Sequence, residues 1–324
     1  MTNNRYTSTK QNQVAVVVAT HKKYSTLVRC LQSLRSILAS PLDLIFVDNG
    51  SDEKLYERVQ MQFPEITVIQ LSENRYFCGG YNAGIRVAME RGYDFVLIVN
   101  ADTEVVNLGF LPELLKTAQR WPRAAFIGPL VYFRSQEVVQ KTCLEFPRVL
   151  RSAAIWLPWR LFPQYFLQQP KEETAVEFLN GICVLCRISA LREIGLMDEN
   201  MGGYVEDADW AWRAKQKGWV SVFAPVPSIA HHEAPSGYEP YSLKSFLLKR
   251  NTVYWFLKIS RRYSAWSYAQ ASIVLAIARL LTVRSAYERQ KHRYFLRRLT
   301  RAFKGLLRGE PLGEWYGPPL GLWD

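Results

Sequence analysis

Short apolar runs that end abruptly on polar residues constrain this chain more than any other feature. Residues 14–19, 44–47 and 95–99 are unbroken apolar stretches, and residues 67–71 read as a further strand. Runs this short, apolar at every position, are expected of strands buried on both faces, as in a parallel sheet. Helical patterns separate them. Leu27, Cys30, Leu31 and Leu34 recur at helical spacing, residues 53–63 read as a helix, and residues 79–91 read as another after a Gly79-Gly80 turn. Strands alternating with helices predict an α/β fold with a parallel, doubly wound sheet. Such sheets bind ligands beyond the carboxyl ends of their strands. Thr20, Asp48 and Asp102 all fall at such ends.

The rest of the chain is less regular. Residues 125–127 and 178–186 look strand-like and flank a proline- and aromatic-rich stretch, 150–170, that reads as a lid, an acceptor platform or a surface loop. A short helix is expected over 208–217, stopped by Gly218. Residues 245–258 and 264–304 read as helices. In the latter, Leu296, Leu299, Phe303 and Leu306 would share a face ringed by arginines, as in a helix lying at a membrane interface. Residues 1–12 are polar and read as flexible.

Charge separates the same regions. Residues 250–310 hold fourteen Lys or Arg against Glu288 and Glu310, so this segment alone carries the chain's net charge of +12. Such a block suits an anionic partner, such as a phospholipid surface or a polyphosphate lipid. Nucleic acid is disfavoured, because no recognised nucleic-acid module is present. The five cysteines are odd in number and follow no apolar leader, which suggests a reducing cytoplasm. Cys183 and Cys186 have no second pair to complete a zinc site and read as core. The longest apolar candidate, 273–283, is interrupted by Arg279 and is too short to span a bilayer.

Several polar groups are candidates for chemistry. Asp102, preceded by Asn100 and Ala101, is a strand-end carboxylate suited to a hard divalent cation. Asp48-Asn49-Gly50-Ser51 is a turn whose carboxylate could accept from a pyrimidine imide. Residues 74–84, with Gly79, Gly80 and Asn82, could approach phosphate or sugar closely at a helix start. Glu206, Asp207 and Asp209 crowd the beginning of a short helix. Capping explains some acid there, but three in four positions exceed that need, and crowding tunes a carboxyl toward neutral pH. Tyr204, Trp210 and Trp212 offer flat surfaces for sugar rings. His231 and His232 follow an apolar segment and are plausible metal ligands.

Taken in order, these segments resemble the inverting family-two glycosyltransferases of the GT-A fold, particularly the bacterial rhamnosyltransferase-like branch. The matching pieces are V-A-V-V-V-A-T-H at 14–21, V-D-N-G-S at 47–51, N-R-Y-F-C-G-G-Y-N-A-G at 74–84 and N-A-D at 100–102. They continue with L-N-G at 179–181, I-G-L-M-D-E at 194–199, Y-V-E-D-A-D-W at 204–210, I-A-H-H at 229–232 and K-R-N-T-V-Y-W at 249–255. The resemblance implies a Rossmann-like, mostly parallel sheet flanked by helices over residues 13–258, with a basic helical extension over 259–324. It also implies that Thr20 and Asp48 hold the base, while Asn49, Asn82, Gly79, Gly80, Asn100 and Ala101 border the donor. Gly181 would let backbone approach the donor sugar, and Asp102 with His231 would bind Mg²⁺ or Mn²⁺. Asp207 would be the general base, with Glu206 and Asp209 orienting it or the acceptor.

The implied reaction is a single in-line displacement from a dTDP- or UDP-linked sugar onto a glycan or lipid-linked glycan. It belongs to cell-wall or O-antigen polysaccharide synthesis on the cytoplasmic face of the membrane. Rhamnose from dTDP-rhamnose is the first expectation; UDP-GlcNAc, UDP-Gal and UDP-Glc are the alternatives. Asn100 stands where the family often has aspartate, and the doubled histidines leave the second metal ligand open. Nucleotidyl transfer would want glycines in 14–23, where there are none. A nucleotide-sugar-binding protein without activity is the remaining alternative.

Overall fold

The computed structural model describes residues 13–310, apart from 22–23, 39, 41–42, 52–53, 134–137, 149–168, 233–241 and 284. The expectations for residues 1–12, for 150–168 of the irregular stretch and for 311–324 of the C-terminal extension lie outside the described residues.

The first half alternates as its periodicity predicts. Strand β1 (Val14–Thr20) leads to α1 (Tyr24–Arg35), β2 (Leu44–Asp48), α2 (Leu55–Gln62), β3 (Thr67–Gln70), α3 (Tyr76–Glu90) and β4 (Phe95–Val99). Next come β5 (Thr103–Val105), α4 (Phe110–Arg120), β6 (Ala124–Phe133), β7 (Val138–Gln140), β8 (Cys143–Leu144), β9 (Thr174–Val176), β10 (Phe178–Leu179) and β11 (Cys183–Arg187). The chain continues through α5 (Ile188–Ile194), a 3₁₀ turn at Glu199–Met201, α6 (Glu206–Gln216) and β12 (Val220–His231). It ends in α7 (Leu243–Lys258), α8 (Arg262–Thr282) and α9 (Ala286–Arg308).

The main sheet runs β3-β2-β1-β4-β11-β6-β12-β5. Strands β1 to β4 are mutually parallel, and β12 is parallel to β6. Two antiparallel strands interrupt the pattern: β11 between β4 and β6, and β5 at the edge beside β12. The chain steps outward from β1 to β3, then returns to the other side of β1 with β4. That reversal opens a crevice at the strands' carboxyl ends. Because β11 and β5 run the other way, their amino ends reach the same edge.

Side-chain alternation divides the core between the two faces of the sheet. Val14, Val16 and Val18 pack with Leu27, Leu31, Phe110 and Leu114 on the α1, α2 and α4 side. Ala15 and Val17 pack with Tyr81, Ile85, Leu191 and Trp210 on the other side. Each such fully buried aliphatic side chain stabilises the fold by about 1.5–3 kcal/mol. A Cβ on Gly84 would lie 2.4 Å from Val17 Cγ1, so glycine there lets α3 sit directly on β1. Cys183 and Cys186 are both buried, and they belong to the cores on opposite sheet faces, which makes them packing residues.

Three local expectations are corrected. Gly79 and Gly80 lie inside α3 instead of forming a turn ahead of it. The helix starts earlier because Asn74 Oδ1 accepts from Tyr76 N (2.8 Å) and Asn49 Oδ1 accepts from Arg75 N (2.9 Å). The apolar run 178–186 breaks at Asn180, Gly181 and Ile182 into β10 and β11. The stretch 264–304 is two helices: Val283 is extended, and Ser285 caps a new helix by accepting from Glu288 N (3.5 Å).

Helices α7, α8 and α9 pack on one another. The apolar face expected to lie in a membrane interface is instead buried: Phe295, Leu299, Phe303 and Leu306 join the core that holds Phe246 and Trp255, while Leu296 is half-buried. Phe246 and Phe295 meet edge to face at 6.4 Å. Among the described residues, no helix is long and apolar enough to cross a membrane.

Candidate active site

The site is built from what the sheet places at its carboxyl edge. Thr20 and Asp48 end β1 and β2 and are paired in register. Asp48 is fully buried. Its Oδ1 accepts from Ser51 N (3.1 Å), while its Oδ2 is buried without a hydrogen-bond partner. An unsatisfied buried carboxylate oxygen is costly, by about 1–3 kcal/mol, unless a ligand donor completes it. Asn49 turns the other way. Its Nδ2 donates to Tyr76 O (2.8 Å) and its Oδ1 accepts from Arg75 N, so its side chain pins the start of α3.

Asn82 also departs from its expected place. It is buried in α3, where its Nδ2 donates to Met197 O (2.9 Å) and Glu199 Oε1 (3.0 Å) and its Oδ1 accepts from Met197 N (3.1 Å). It ties α3 to the segment after α5. Glu199 is also salt-bridged to Arg75 and Arg86. A Cβ on Gly80 would lie 3.0 Å from Asn49 Nδ2, and one on Gly79 would meet Arg75 Cβ at 2.4 Å. Both glycines therefore serve packing at the head of α3.

Beyond β4, Asn100, Ala101 and Asp102 form a turn closed by Thr103 Oγ1 donating to Asn100 O (2.8 Å). Asn100 N donates to Ile182 O (2.9 Å), which ties this turn to the one carrying Gly181. Ala101 packs its methyl into the core, leaving only its backbone toward the crevice. Pairing of His231 with Thr103 across β12 and β5 brings His231 Nε2 to 3.2 Å from Asp102 Oδ1. Its other nitrogen, Nδ1, lies 3.0 Å from Gln140 Oε1. His232 points elsewhere, with Nε2 3.0 Å from Glu104 Oε2. Neighbouring strand residues face opposite sides, so only His231 can join Asp102.

A carboxylate oxygen and an imidazole nitrogen at this separation, with Gln140 Oε1 orienting the ring, form a donor set that fits Mn²⁺ or Mg²⁺. Two protein ligands would leave further coordination positions for phosphate oxygens.

The acidic cluster divides by helix geometry. At about 100° per residue, Asp207 points away from both Glu206 and Asp209. Asp209 is 1 % exposed and salt-bridged to Arg213 (2.8 Å) and Lys258 (2.8 Å), so it holds α6 to α7 and does not reach the crevice. Glu206 is buried with Oε2 unpartnered; burial, and then the charge of Asp207, push its pKa well up. Asp207 is half-buried, and its Oδ2 accepts from Gly181 N (3.1 Å). Ile98, Phe126, Leu179, Val184, Trp210 and Ala211 floor a small pocket beneath it. Burial pushes Asp207 up to about 7, although the Gly181 N–H pulls the other way. Trp210 and Trp212 are packed in the core, while Tyr204 is exposed.

The support for this carboxylate lies in residues given no role by spacing alone. Tyr204 and Val205, just before α6, have φ of +67° and +74°. For a β-branched residue this is strained, by about 1–3 kcal/mol, and it must be held from outside. Buried Asn251 does so, its Nδ2 donating to Met201 O (2.9 Å), Gly203 O (2.8 Å) and Tyr204 O (2.8 Å). Arg250 donates to Asn200 O (3.0 Å) and Met201 O (2.9 Å). A buried Arg-Asn pair amid the apolar residues of α7 is the sequence signal that marks them. Gln140 and Glu104, which orient the histidines, had none.

The chain belongs to glycosyl transferase family 2, whose family model matches residues 15–195. It is 29% identical over 299 residues to the N-acetylglucosaminyl-diphospho-decaprenol L-rhamnosyltransferase of Mycobacterium tuberculosis, covering 86% of this chain and 95% of that protein. It is 22% identical over 290 residues to the low-salt glycan biosynthesis hexosyltransferase Agl10 of Haloferax volcanii, covering 87% of each. Among solved structures, GalNAc-T7 with UDP, GalNAc and Mn²⁺ superposes with a TM-score of 0.59 at 15% identity, over 93% of this chain and 58% of that one. That likeness establishes the GT-A fold. The family match ends before Glu206, so the geometry of Asp207 and His231 stands on the structure itself.

Proposed function

We propose that this chain is an inverting glycosyltransferase that moves a hexose, rhamnose from dTDP-rhamnose first, onto a hydroxyl of a lipid-linked glycan. The observation that carries this reading is Asp207, a carboxyl held near neutral pKa on an apolar floor at the sheet edge that also carries Asp48, Asp102 and His231. The rhamnosyltransferase relative, matched over nearly its whole length, supports the donor and the lipid-linked acceptor.

In this reading Asp48 Oδ2 accepts from the base, and Thr20 and the backbone of Asn100-Ala101 line the nucleotide. Asp102 and His231 would hold Mg²⁺ or Mn²⁺, which when bound would neutralise charge on the leaving diphosphate. The Asp207 oxygen not held by Gly181 takes the acceptor proton as the hydroxyl oxygen bonds to the anomeric carbon. The bond from that carbon to the diphosphate breaks on the opposite face, inverting configuration. The catalytic unit is residues 13–258. The basic segment 259–324 brings it to the cytoplasmic face of the membrane, where such an acceptor resides.

The test is release of nucleoside diphosphate from a panel of dTDP- and UDP-sugars, with a polyprenyl-diphosphate glycan as acceptor. Asp207→Asn should lose at least about 10³-fold in rate while retaining nucleotide binding by calorimetry. Near-normal turnover by that variant would remove Asp207 from the base role. Release from a UDP-sugar alone would replace the donor but keep the mechanism.

A further inference from the structure

Among the described residues, five of the exposed large apolar side chains lie on α8, more than on any other helix, and that helix is not the one whose sequence reads as amphipathic. Tyr263 (91% exposed), Trp266 (56%), Val274 (61%), Ile277 (43%) and Leu281 (81%) recur along α8 at helical spacing, and Tyr287 (59%) follows at the head of α9. The opposite face of α8 is spent inside the protein: Ala265, Tyr268, Ala269, Ser272 and Ala276 are buried, with Tyr268 against Phe256 at 6.2 Å. The stripe therefore runs the 21-residue length of a rigidly seated helix, about 30 Å. Exposed Gln270 lies within the stripe between Trp266 and Val274. A cluster of exposed apolar side chains on one helix face marks an interaction site, whereas single exposed side chains do not.

We infer that this outer face of α8 is the surface by which the protein lies on an anionic lipid bilayer. The inference rests on the membrane-linked acceptor proposed above. Three observations select the bilayer over a second copy of the chain. Exposed Tyr263, Trp266 and Tyr287 supply amphipathic rings along this face, the residue types favoured at the headgroup level. Helix α8 contains no Asp or Glu, and exposed Arg261, Arg262 and Arg289 flank the stripe. The segment 250–310 carries the whole excess charge of +12. A two-fold contact would set these positive ends near their own copies, whereas anionic headgroups would neutralise them. Helix α9 adds charge, not insertion: its apolar face is buried, and Arg293, Arg297, Lys304 and Arg308 are exposed.

All five cysteines are buried, so an introduced surface cysteine can be labelled selectively. Full-length Ile277→Cys, carrying an environment-sensitive fluorophore, should shift to the blue on vesicles of phosphatidylglycerol and phosphatidylethanolamine. Met61→Cys, labelled on the exposed side of α2, should not. In co-sedimentation with the same vesicles, Trp266→Glu with Leu281→Glu should weaken binding by about tenfold or more, with transfer to a water-soluble acceptor unchanged. Wild-type binding that survives this double substitution, with no shift at position 277, would overturn the α8 assignment while leaving membrane attachment standing. No wild-type binding at all would remove both. A wild-type dimer in solution that the double substitution turns into a monomer would give the face to a second copy instead.

Discussion

At the scale of single residues, the three acids of the cluster have three different fates. Asp209 is a structural ion-pair partner, Glu206 is buried, and Asp207 is poised. The poise has a measurable consequence for rate. With Asp207 at about 7, kcat/KM should rise with pH and level off above that value, and Asp207→Asn should abolish the dependence. It has an opposite consequence for stability. A carboxyl raised on folding contributes fully below its usual value of 3.8, and that contribution is lost as pH rises through about 7. Asp207→Asn should therefore be more stable than wild type at pH 8, on the order of 2 kcal/mol, and the gap should close toward pH 4 in denaturant titrations. Gly181→Ala tests the contact directly. Its Cβ would stand 2.9 Å from Asp207 Oδ1, so activity should fall about 10–100-fold with little change in melting temperature.

At the scale of elements, α7 and β12 position what the cluster's own helix cannot. Asn251 satisfies three carbonyls of the strained turn before α6. Asn251→Leu should destabilise the protein by about 2–4 kcal/mol, read in urea, and lower kcat more than it raises KM. The pairing of β12 with β5 selects between two adjacent histidines. His231→Gln should weaken Mn²⁺ binding by calorimetry about tenfold or more, and His232→Gln should leave it near wild type. That choice could not be read from I-A-H-H, because it depends on which face of β12 meets Asp102. The helices of the first half were legible, since their apolar spacing is local. The early start of α3 was not, because it depends on Asn49, which is 26 residues from Arg75.

At the scale of the whole molecule, the strand order explains why residues far apart in the chain meet. The parallel strands deliver Thr20, Asp48, Asp102 and His231 to one edge, and the reversed β11 delivers Gly181 to the same edge. The basic C-terminal helices are packed into the same core that lies beneath Trp210, so the charged segment and the sheet share one buried cluster. Removing residues 259–310 would uncover Trp255, Phe256 and Phe246 on α7. Such a truncation should therefore reduce solubility and stability as well as vesicle binding, read by sedimentation and thermal melts.

What the sequence determined by itself was local or carried by order. Unbroken apolar runs could only be buried strands, and polar residues at their ends could only lie at a sheet edge. The ordered segments from Thr20 to His231 carry the resemblance to the family in the sequence alone. Tertiary structure decided which of those polar residues face the crevice. Asn49, Asn82 and Asp209 are held by partners 4 to 117 residues away in the chain. It also decided which helix presents apolar surface. A pattern of apolar side chains shows that a face will be covered, but packing alone determines what covers it. On α9 the cover is the protein's own core, and the face left open is that of α8.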